Sequence, residues 1–166
     1  MDLYNAGEWM LDRNVADGRG DSVALRCQGE STTYADVLAD AWRVQAVLSE
    51  LGVVAGQRIL LVVNDEPAFV SWFTGSMRAG VIPVPLSTML TGPDLAGIAA
   101  DAGPDVIVVS AEYADRIAAI TAAAPSLRHV VVVGPVDHEF PISRVMYGIN
   151  SSRERVAVVD RQKNGL

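Results

Sequence analysis

The run Ile59-Leu-Leu-Val-Val63 decides the fold of this chain. Three similar runs follow it, at Val81 to Val84, Val106 to Val109 and Val130 to Val133, so that one recurs about every 22 to 25 residues. All four are rich in β-branched residues, and none alternates apolar with polar positions. Continuous apolar runs of this length are typical of strands that are buried on both faces of a parallel sheet. We therefore predict a mainly parallel sheet with strands at these four positions.

Helical patterns lie between the runs. Thr33 and Asp36 have the spacing of a capping box, in which each side chain binds the other residue's backbone N–H, and Thr91 and Asp94 repeat it. Behind the first box, apolar residues recur at helical spacing as far as Gly52, a typical helix stop; they are Val37, Ala41, Val44, Leu48 and Leu51. Both boxes therefore predict the start of a helix.

Two further helices have weaker signals. Asn64 or Asp65 can cap a helix that has Pro67 in its first turn. The Ala-rich stretch from Ala111 to Ala124 is predicted to be helical and to end at Pro125. Strands that alternate with helices in this way indicate the α/β class.

A small hairpin is predicted near the N-terminus, from Val23 to Cys27 and from Ser31 to Thr33. The predicted fold is thus α/β, a mainly parallel sheet flanked by helices in Rossmann-like layers, with this hairpin in front. We place an N-terminal α/β subdomain at residues 3–134 and an irregular C-terminal extension at 135–166, in which Arg155 to Val159 is a candidate for one more strand.

Composition and charge exclude several classes of function. Half of the residues are apolar and 20% are charged, which argues against a disordered chain. The formal net charge of −7 argues against a nucleic-acid partner and against an anionic membrane surface. The chain has no signal-peptide pattern and no apolar run near the ~20 residues that a transmembrane helix needs. We expect a cytoplasmic protein.

The common motifs for phosphate binding and nucleophilic catalysis are absent. There is no G-x-x-x-x-G-K-[ST] loop, no G-x-G-x-x-G after a predicted strand, and no G-x-S-x-G turn. Cys27, the only cysteine, lies in an alternating stretch that favours packing, and His138 between two acidic residues favours a solvated loop over a metal site. The only lysine, Lys163, lies in a polar tail, a poor place for a preorganised cation. We therefore assign no catalytic, no cofactor-binding and no metal-binding residue.

Several stretches, taken in order, resemble the opening of the adenylate-forming ligases, which include acyl-CoA synthetases, luciferases and peptide-synthetase adenylation domains. The stretches are Thr32-Thr-Tyr-Ala-Asp-Val37, Leu51-Gly-Val-Val-Ala-Gly-Gln-Arg-Ile-Leu60, Ala79-Gly-Val-Ile-Pro-Val-Pro-Leu86 and Asp101-Ala-Gly-Pro-Asp-Val106. Leu11-Asp-Arg-Asn14, with Gly18 to Asp21 behind it, is most similar to the benzoate–CoA ligase subgroup. The resemblance covers residues from about Asn5 to Gly134.

The resemblance implies ATP-dependent formation of an acyl-adenylate and then of an acyl-CoA thioester, with ATP, Mg²⁺ and coenzyme A as cofactors of the complete enzyme. The family's phosphate loop, ribose-binding Asp and catalytic Lys lie downstream of the matched region, and this sequence departs from the family after Gly134. We therefore expect an N-terminal fragment of an acyl- or aryl-CoA ligase that is inactive alone. Its partners would be the remaining subdomains of the ligase, and the segment from Val84 to Leu90 is the candidate wall of the acid-binding pocket.

Two alternatives stay open at this point. One is a non-catalytic partner protein or a homo-oligomer that associates through exposed apolar surface. The other is a small nucleotide- or flavin-binding α/β protein, since doubly wound sheets bind such ligands where their strand order reverses. The sequence does not identify the carboxylic acid, the strand order or the oligomeric state. It also does not tell whether Leu166 is a natural end.

Overall fold

The computed structural model describes residues 4–134 in full and, beyond them, the backbone of 144–147 and 155–160. Its helices are α1 (Ala6–Asn14), α2 (Tyr34–Glu50), α3 (Pro67–Arg78), α4 (Gly92–Ala102) and α5 (Ile117–Ala123). Its strands are β1 (Val23–Cys27), β2 (Glu30–Thr33), β3 (Arg58–Val62), β4 (Ile82–Pro85), β5 (Val106–Ser110), β6 (His129–Val133), β7 (Arg144–Tyr147) and β8 (Arg155–Asp160). A π-helical turn at Val15–Arg19 follows α1, and a 3-10 turn at Ala111–Arg116 precedes α5.

The main sheet has six strands in the order β4-β3-β5-β6-β8-β7. The first four are parallel, with Ile59 of β3 opposite Pro83 of β4 and Val106 of β5. β8 pairs antiparallel with both β6 and β7, and β1 and β2 form a separate antiparallel hairpin. The predicted α/β class, the four parallel strands and the hairpin are confirmed. β7 and β8 lie in the stretch that we expected to be irregular, and β8 covers the candidate strand there; the domain boundary after Gly134 stays a prediction.

Three of the parallel strands, β3, β5 and β6, are buried on both faces, as their continuous apolar runs predicted. For β4 that prediction is wrong: it lies at the edge of the sheet, and Ile82 is 48% exposed. On one face, Ile59 and Leu61 pack with Val106 and Val108 against α2 and α3, where Trp72 is fully buried. On the other face lies a second cluster, under α4 and α5; from the strands it includes Leu60, Val62, Ile107, Val109, Val130 and Val132. Burying each such side chain stabilises the fold by roughly 1.5–3 kcal/mol, so these two clusters hold the helices to the sheet.

The helix starts confirm both capping boxes and correct one prediction. Thr33 with Asp36, and Thr91 with Asp94, make both reciprocal hydrogen bonds of the box. By contrast α3 begins at Pro67, and its N-cap residue is Glu66 rather than Asn64 or Asp65. The side chain of Asn64 is instead committed to a long-range network that the next subsection describes. The Ala-rich stretch begins as a 3-10 turn, and only its second half is α-helical.

The first helix, α1, was not predicted, and it is fastened to the end of α3. Asn5 Oδ1 accepts a hydrogen bond from Glu8 N at 3.2 Å and so caps α1. Asn5 Nδ2 donates to Met77 O at 3.1 Å and to Arg78 O at 3.2 Å, carbonyls at the C-terminal end of α3. The Asn5 side chain therefore provides hydrogen-bond partners both for a backbone N–H at the start of α1 and for carbonyls at the end of α3.

α2 and α3 cross closely at Gly75. A Cβ added there would lie 2.7 Å from Val44 Cβ and 2.8 Å from Ala41 O, too close for a carbon atom. The absence of a side chain at Gly75 is thus what lets the two helices approach this closely.

The outer edge of β4 lacks backbone donors. Ile82 N donates to Gln57 O at 2.8 Å and Leu86 N to Leu61 O at 2.9 Å, so the even-numbered residues of β4 face β3. The alternate positions turn their backbone away from β3, and both are prolines, Pro83 and Pro85. Proline has no N–H, so this edge is closed to the addition of another strand.

Candidate functional site

The candidate site lies at the carboxyl ends of the parallel strands. Open α/β sheets bind ligands there, in the crevice where the strand order reverses. From β3 the chain passes to β4 on one side and then to β5 on the other side of β3, so the crevice lies between β3 and β5. Asn64 follows β3, and Ser110 ends β5, which places both residues at this crevice.

Polar side chains bind one another across the crevice. Asn64 N donates to Ser110 Oγ at 3.2 Å, and Asn64 Nδ2 donates to Glu112 Oε1 at 2.9 Å. Tyr113 OH donates to Asn64 Oδ1 at 2.8 Å. The hydrogen bond from Asn64, followed by Tyr113, holds the pKa of Glu112 below its ordinary value, so the carboxyl is ionised at neutral pH. The polar side chains at this edge are thus hydrogen-bonded to one another.

The turn after β4, residues 87–90, ends the segment from Val84 to Leu90 that the sequence analysis expected to wall the acid-binding pocket, and that role stays a prediction. Its backbone is held internally, since Met89 N donates to Ser87 Oγ and Leu90 N to Ser87 O, both at 3.2 Å. Leu86 and Leu90 pack against the core cluster under α4 and α5. Met89 between them is 90% exposed. The turn is therefore anchored on both sides and presents one large apolar side chain outward.

Arg116 connects this turn to the crevice. Its Nη1 donates to Thr88 O at 2.6 Å, and its guanidinium carbon lies 4.5 Å from the centre of the Tyr113 ring. Because Tyr113 OH in turn binds Asn64, one connected set of contacts runs from the turn to the end of β3. Sequence analysis missed this network. The available signal was that Asn64 and Ser110 each follow a buried run directly, whereas nothing in the spacing pointed to Arg116.

A second opening lies between the hairpin, α2 and the start of α3. It is an open cavity of about 510 Å³, and its charged lining residues are Glu30, Asp36, Asp40, Arg43 and Glu66. Arg43 forms an ion pair with the buried Asp40. Thr33 donates hydrogen bonds from its side chain and backbone to Asp36, and these lower the pKa of that carboxyl. Two acids of this cavity, Asp36 and Asp40, thus serve helix capping and ion pairing.

The remaining residues that the sequence analysis weighed lie apart from the site. His129 opens β6, and its Nε2 lies 3.1 Å from Leu51 O. Cys27 is half-buried at the end of β1. His138 and Lys163 lie outside the described residues. Among residues 4–134 no group of three or more His, Cys, Asp or Glu side chains is arranged to hold a metal ion. No helix in this part of the chain is long and apolar enough to cross a membrane.

Comparisons with known proteins agree with this architecture. A family model described as AMP-binding enzyme matches residues 11–164, so the match continues past Gly134, where the sequence analysis expected a departure from the family. The chain is 37% identical over 131 residues to a 4-hydroxybenzoate–CoA/benzoate–CoA ligase of Rhodopseudomonas palustris, covering 79% of this chain and 24% of that protein. It is 36% identical over 123 residues to a long-chain-fatty-acid–CoA ligase of Mycobacterium tuberculosis, covering 74% of this chain and 24% of that protein. The chain thus spans about a quarter of the length of the curated relatives it matches.

A solved structure supports the same match in three dimensions. The crystal structure of an anthranilate CoA ligase in complex with anthranoyl-AMP superposes with a TM-score of 0.77 at 31% identity, covering 84% of this chain and 27% of that one.

Proposed function

The chain belongs to the AMP-binding enzyme family, and from this membership we propose that it forms the N-terminal, substrate-side part of an ATP-dependent acyl- or aryl-CoA ligase. In the complete ligase a carboxylate attacks the α-phosphate of ATP, which gives an acyl-adenylate and pyrophosphate. The thiol of coenzyme A then attacks the acyl carbon, and the thioester forms as AMP leaves. ATP, Mg²⁺ and coenzyme A are the cofactors of the complete ligase in this proposal, and the cytoplasm is its location.

One observation carries the proposal. The family model matches the chain from residue 11 to residue 164, whereas the chain spans only about a quarter of its relatives. The described part is an α/β layer whose carboxyl edge carries a hydrogen-bonded turn with Met89 exposed. Such a layer supports a pocket at its seam with a neighbouring subdomain.

We propose further that the 166-residue chain does not catalyse adenylation alone. Transfer to the α-phosphate needs preorganised positive charge where anionic charge develops. The only lysine is Lys163, in the tail. Four arginines of the described part are committed to carboxylates, in the pairs Arg19–Asp17, Arg43–Asp40, Arg78–Asp12 and Arg128–Asp105. Arg116, near the crevice, is bound to a carbonyl.

For the acid, we propose an aryl carboxylate. The similarity to the Rhodopseudomonas palustris enzyme, whose name gives benzoate and 4-hydroxybenzoate, supports this choice. The similar identity to a fatty-acid ligase makes a long-chain acid the competing substrate. The activity of the purified complete ligase on benzoate, 4-hydroxybenzoate, anthranilate and palmitate distinguishes an aryl acid from a long-chain acid as its substrate.

The first test measures exchange of radioactive pyrophosphate into ATP by the 166-residue chain, with Mg²⁺ and each of these acids. We expect no exchange above a blank without protein. Robust exchange with any of these acids would refute the inactivity of the isolated chain.

The second test asks whether the chain serves as the ligase's N-terminal part. Residues 4–134 are grafted in place of the aligned segment of the Rhodopseudomonas palustris ligase. We expect the chimera to form acyl-CoA from an aryl acid, ATP and coenzyme A. A soluble, folded chimera without activity would contradict the proposed role.

A second candidate role is self-association or binding to a non-catalytic partner. It is favoured by large apolar side chains that are exposed in this chain, Trp9 at 47%, Trp42 at 54% and Met89 at 90%. Sedimentation of the chain over a wide concentration range tests this role. A mass that stays monomeric throughout excludes self-association.

A further inference from the structure

We propose that helix α1 and the adjacent part of α2 form an interface through which two copies of this chain pair about a two-fold axis, with their α1 helices antiparallel. The proposal gives a surface to self-association, the second candidate role above, and it rests on that role rather than on the ligase chemistry. It follows from the place of the exposed aromatic side chains and from the balance of charge around them.

Large apolar side chains are concentrated on one face of the protein. Eight of them are exposed among residues 4–134, and four of these lie on α1, just before it or on α2: Tyr4, Trp9, Met10 and Trp42. The other four are separated along the chain; they are Val23, Val54, Ile82 and Met89. Single exposed apolar residues are ordinary, whereas a cluster of them marks an interaction surface.

Side-chain contacts join the aromatic residues into one surface, which we call the α1–α2 face. The ring centres of Tyr4 and Trp9 are 6.4 Å apart. Asp12 lies one helical turn beyond Trp9. Arg78 forms an ion pair with Asp12, and its guanidinium carbon lies 5.8 Å from the centre of the Trp42 ring. Tryptophan, tyrosine, methionine and arginine are the residue types that protein interfaces concentrate.

The exposed area of the α1–α2 face fits the core of a small dimer interface. Tyr4 is 71% exposed, Trp9 47% and Trp42 54%. Because an aromatic side chain can bury 150–250 Å², these three rings expose roughly 300–400 Å². A stable interface covers about 800 Å² on each partner, so the apolar face would make up about half of it and a polar rim the rest. We therefore expect a dissociation constant on the order of micromolar.

The charge of the α1–α2 face identifies a second copy as its occupant. Helix α1 carries Glu8, Asp12 and Arg13, and Arg78 binds Asp12, so two acids and two arginines give a formal charge of zero. The whole chain has a formal charge of −7. Two copies of an acidic chain repel each other, and the repulsion is smallest where a neutral face meets the same face of the other copy.

The antiparallel arrangement gives opposite partners to the two remaining charges of α1. Glu8 lies in the first turn of α1 and Arg13 in the last turn. In the part of the chain that the structure describes, neither forms an ion pair. When a two-fold axis reverses the helix direction, the first turn of each α1 lies beside the last turn of the other, so that each Glu8 meets an Arg13. A parallel arrangement would bring like charges together.

The first arm of the test is sedimentation equilibrium of the 166-residue chain over a wide concentration range. Trp9→Glu is expected to weaken the dimer by about thirtyfold or more, the effect of losing a central tryptophan from an interface. Glutamate is a good helix former and is favourable near a helix N-terminus, so α1 should stay folded, which an unchanged midpoint of urea denaturation checks. Met89→Glu, which places the same charge at the more exposed methionine, is the matched control and should leave the dimer unchanged.

Two results of this arm would count against different claims. A chain that stays monomeric at every concentration overturns both self-association and the interface. A dimer that Trp9→Glu leaves intact, or that Met89→Glu weakens equally, overturns the interface alone, so the two failures are distinguishable.

The second arm tests the antiparallel arrangement by mixing two variants. Glu8→Arg alone and Arg13→Glu alone each place like charges at both contacts between the copies, and each should weaken the dimer about tenfold. An equimolar mixture of the two variants restores opposite charges at both contacts and should recover the wild-type dimer constant. Mixing cannot repair a helix that a substitution has destabilised, so recovery separates pairing from a structural effect. A mixture that dimerises no better than the separate variants would overturn the arrangement.

Discussion

The close crossing of α2 and α3 makes Gly75→Ala a quantitative test of the fold. The new methyl group would lie 2.7 Å from Val44 Cβ, 2.8 Å from Ala41 O and 2.9 Å from Val44 Cγ1. Backbone atoms and a β-branched side chain make up this contact, and neither can rotate away. The helices must therefore separate by several tenths of an ångström along their shared core face.

The size of the effect follows from two opposing contributions. Adding a methyl group to a filled core costs about 1–3 kcal/mol, and a contact on rigid atoms belongs near the upper end. Replacing glycine by alanine within a helix stabilises the helix by about 1 kcal/mol. We expect Gly75→Ala to lower the free energy of unfolding by about 1–2 kcal/mol, which corresponds to roughly 2–8 °C in Tm for a domain of this size.

Gly97→Ala is the matched control. Gly97 lies in the interior of α4, and a Cβ built there meets no heavy atom within 4 Å. This variant gains the helix contribution alone, so it should be more stable than the wild type by up to about 1 kcal/mol. Urea denaturation, monitored by tryptophan fluorescence to which the buried Trp72 contributes, measures both variants. If the two alanine variants shift stability in the same direction by the same amount, the crossing of α2 and α3 is not as close as described here.

Three further predictions concern the helix caps and the edge of the sheet. Asn5→Ala should cost about 1–2 kcal/mol in urea denaturation, because one substitution removes an N-cap and two hydrogen bonds to the end of α3. A loss of only a few tenths of a kcal/mol in the free energy of unfolding would contradict this prediction. Asp36 has a folded-state pKa below its ordinary 3.8, so its stabilising effect is present above that pH and is lost as the pH falls through the folded value. The stability difference between wild type and Asp36→Asn should therefore narrow from about pH 7 to about pH 2, and a constant difference would refute the assignment. Replacing both Pro83 and Pro85 by threonine restores the donors of the β4 edge and should cause concentration-dependent aggregation, measured by light scattering; a double variant that stays monomeric would show that the prolines do not protect this edge.

Most of the fold was predictable because its signals are local. The runs at Ile59 and Val106 place two central strands, and the box of Thr33 and Asp36 gives the start of α2 to the residue. The resemblance to adenylate-forming ligases is likewise confirmed by the family match. Helix α1 was missed because Trp9 and Met10 are exposed, so its apolar residues do not form a single stripe.

The candidate site was less predictable, because its contacts join distant parts of the chain. The rule for open α/β sheets drew attention to the segment after β4, whose role as a pocket wall stays a prediction. Its contact with Arg116 spans 28 residues, and the contact of Tyr113 with Asn64 spans 49. No periodicity or capping rule connects positions so far apart. Asn64 was predicted as a possible N-cap of α3. Its side chain instead donates to Glu112, and Glu66 is the N-cap residue.

The prolines of β4 also set the symmetry of any assembly that joins sheet edges. A sheet with two receptive edges can add copies head to tail without limit and grow into a filament. Among the strands that the structure describes, β7 forms the opposite edge of the six-stranded sheet and is the one left with free backbone donors, because β4 offers none. An edge strand that can pair only with the same strand of a second copy forms a two-fold pair. That pair has no further edge to which another copy can add. Pairing of the described sheet edges would therefore stop at a two-fold pair, with one continuous sheet twice as wide.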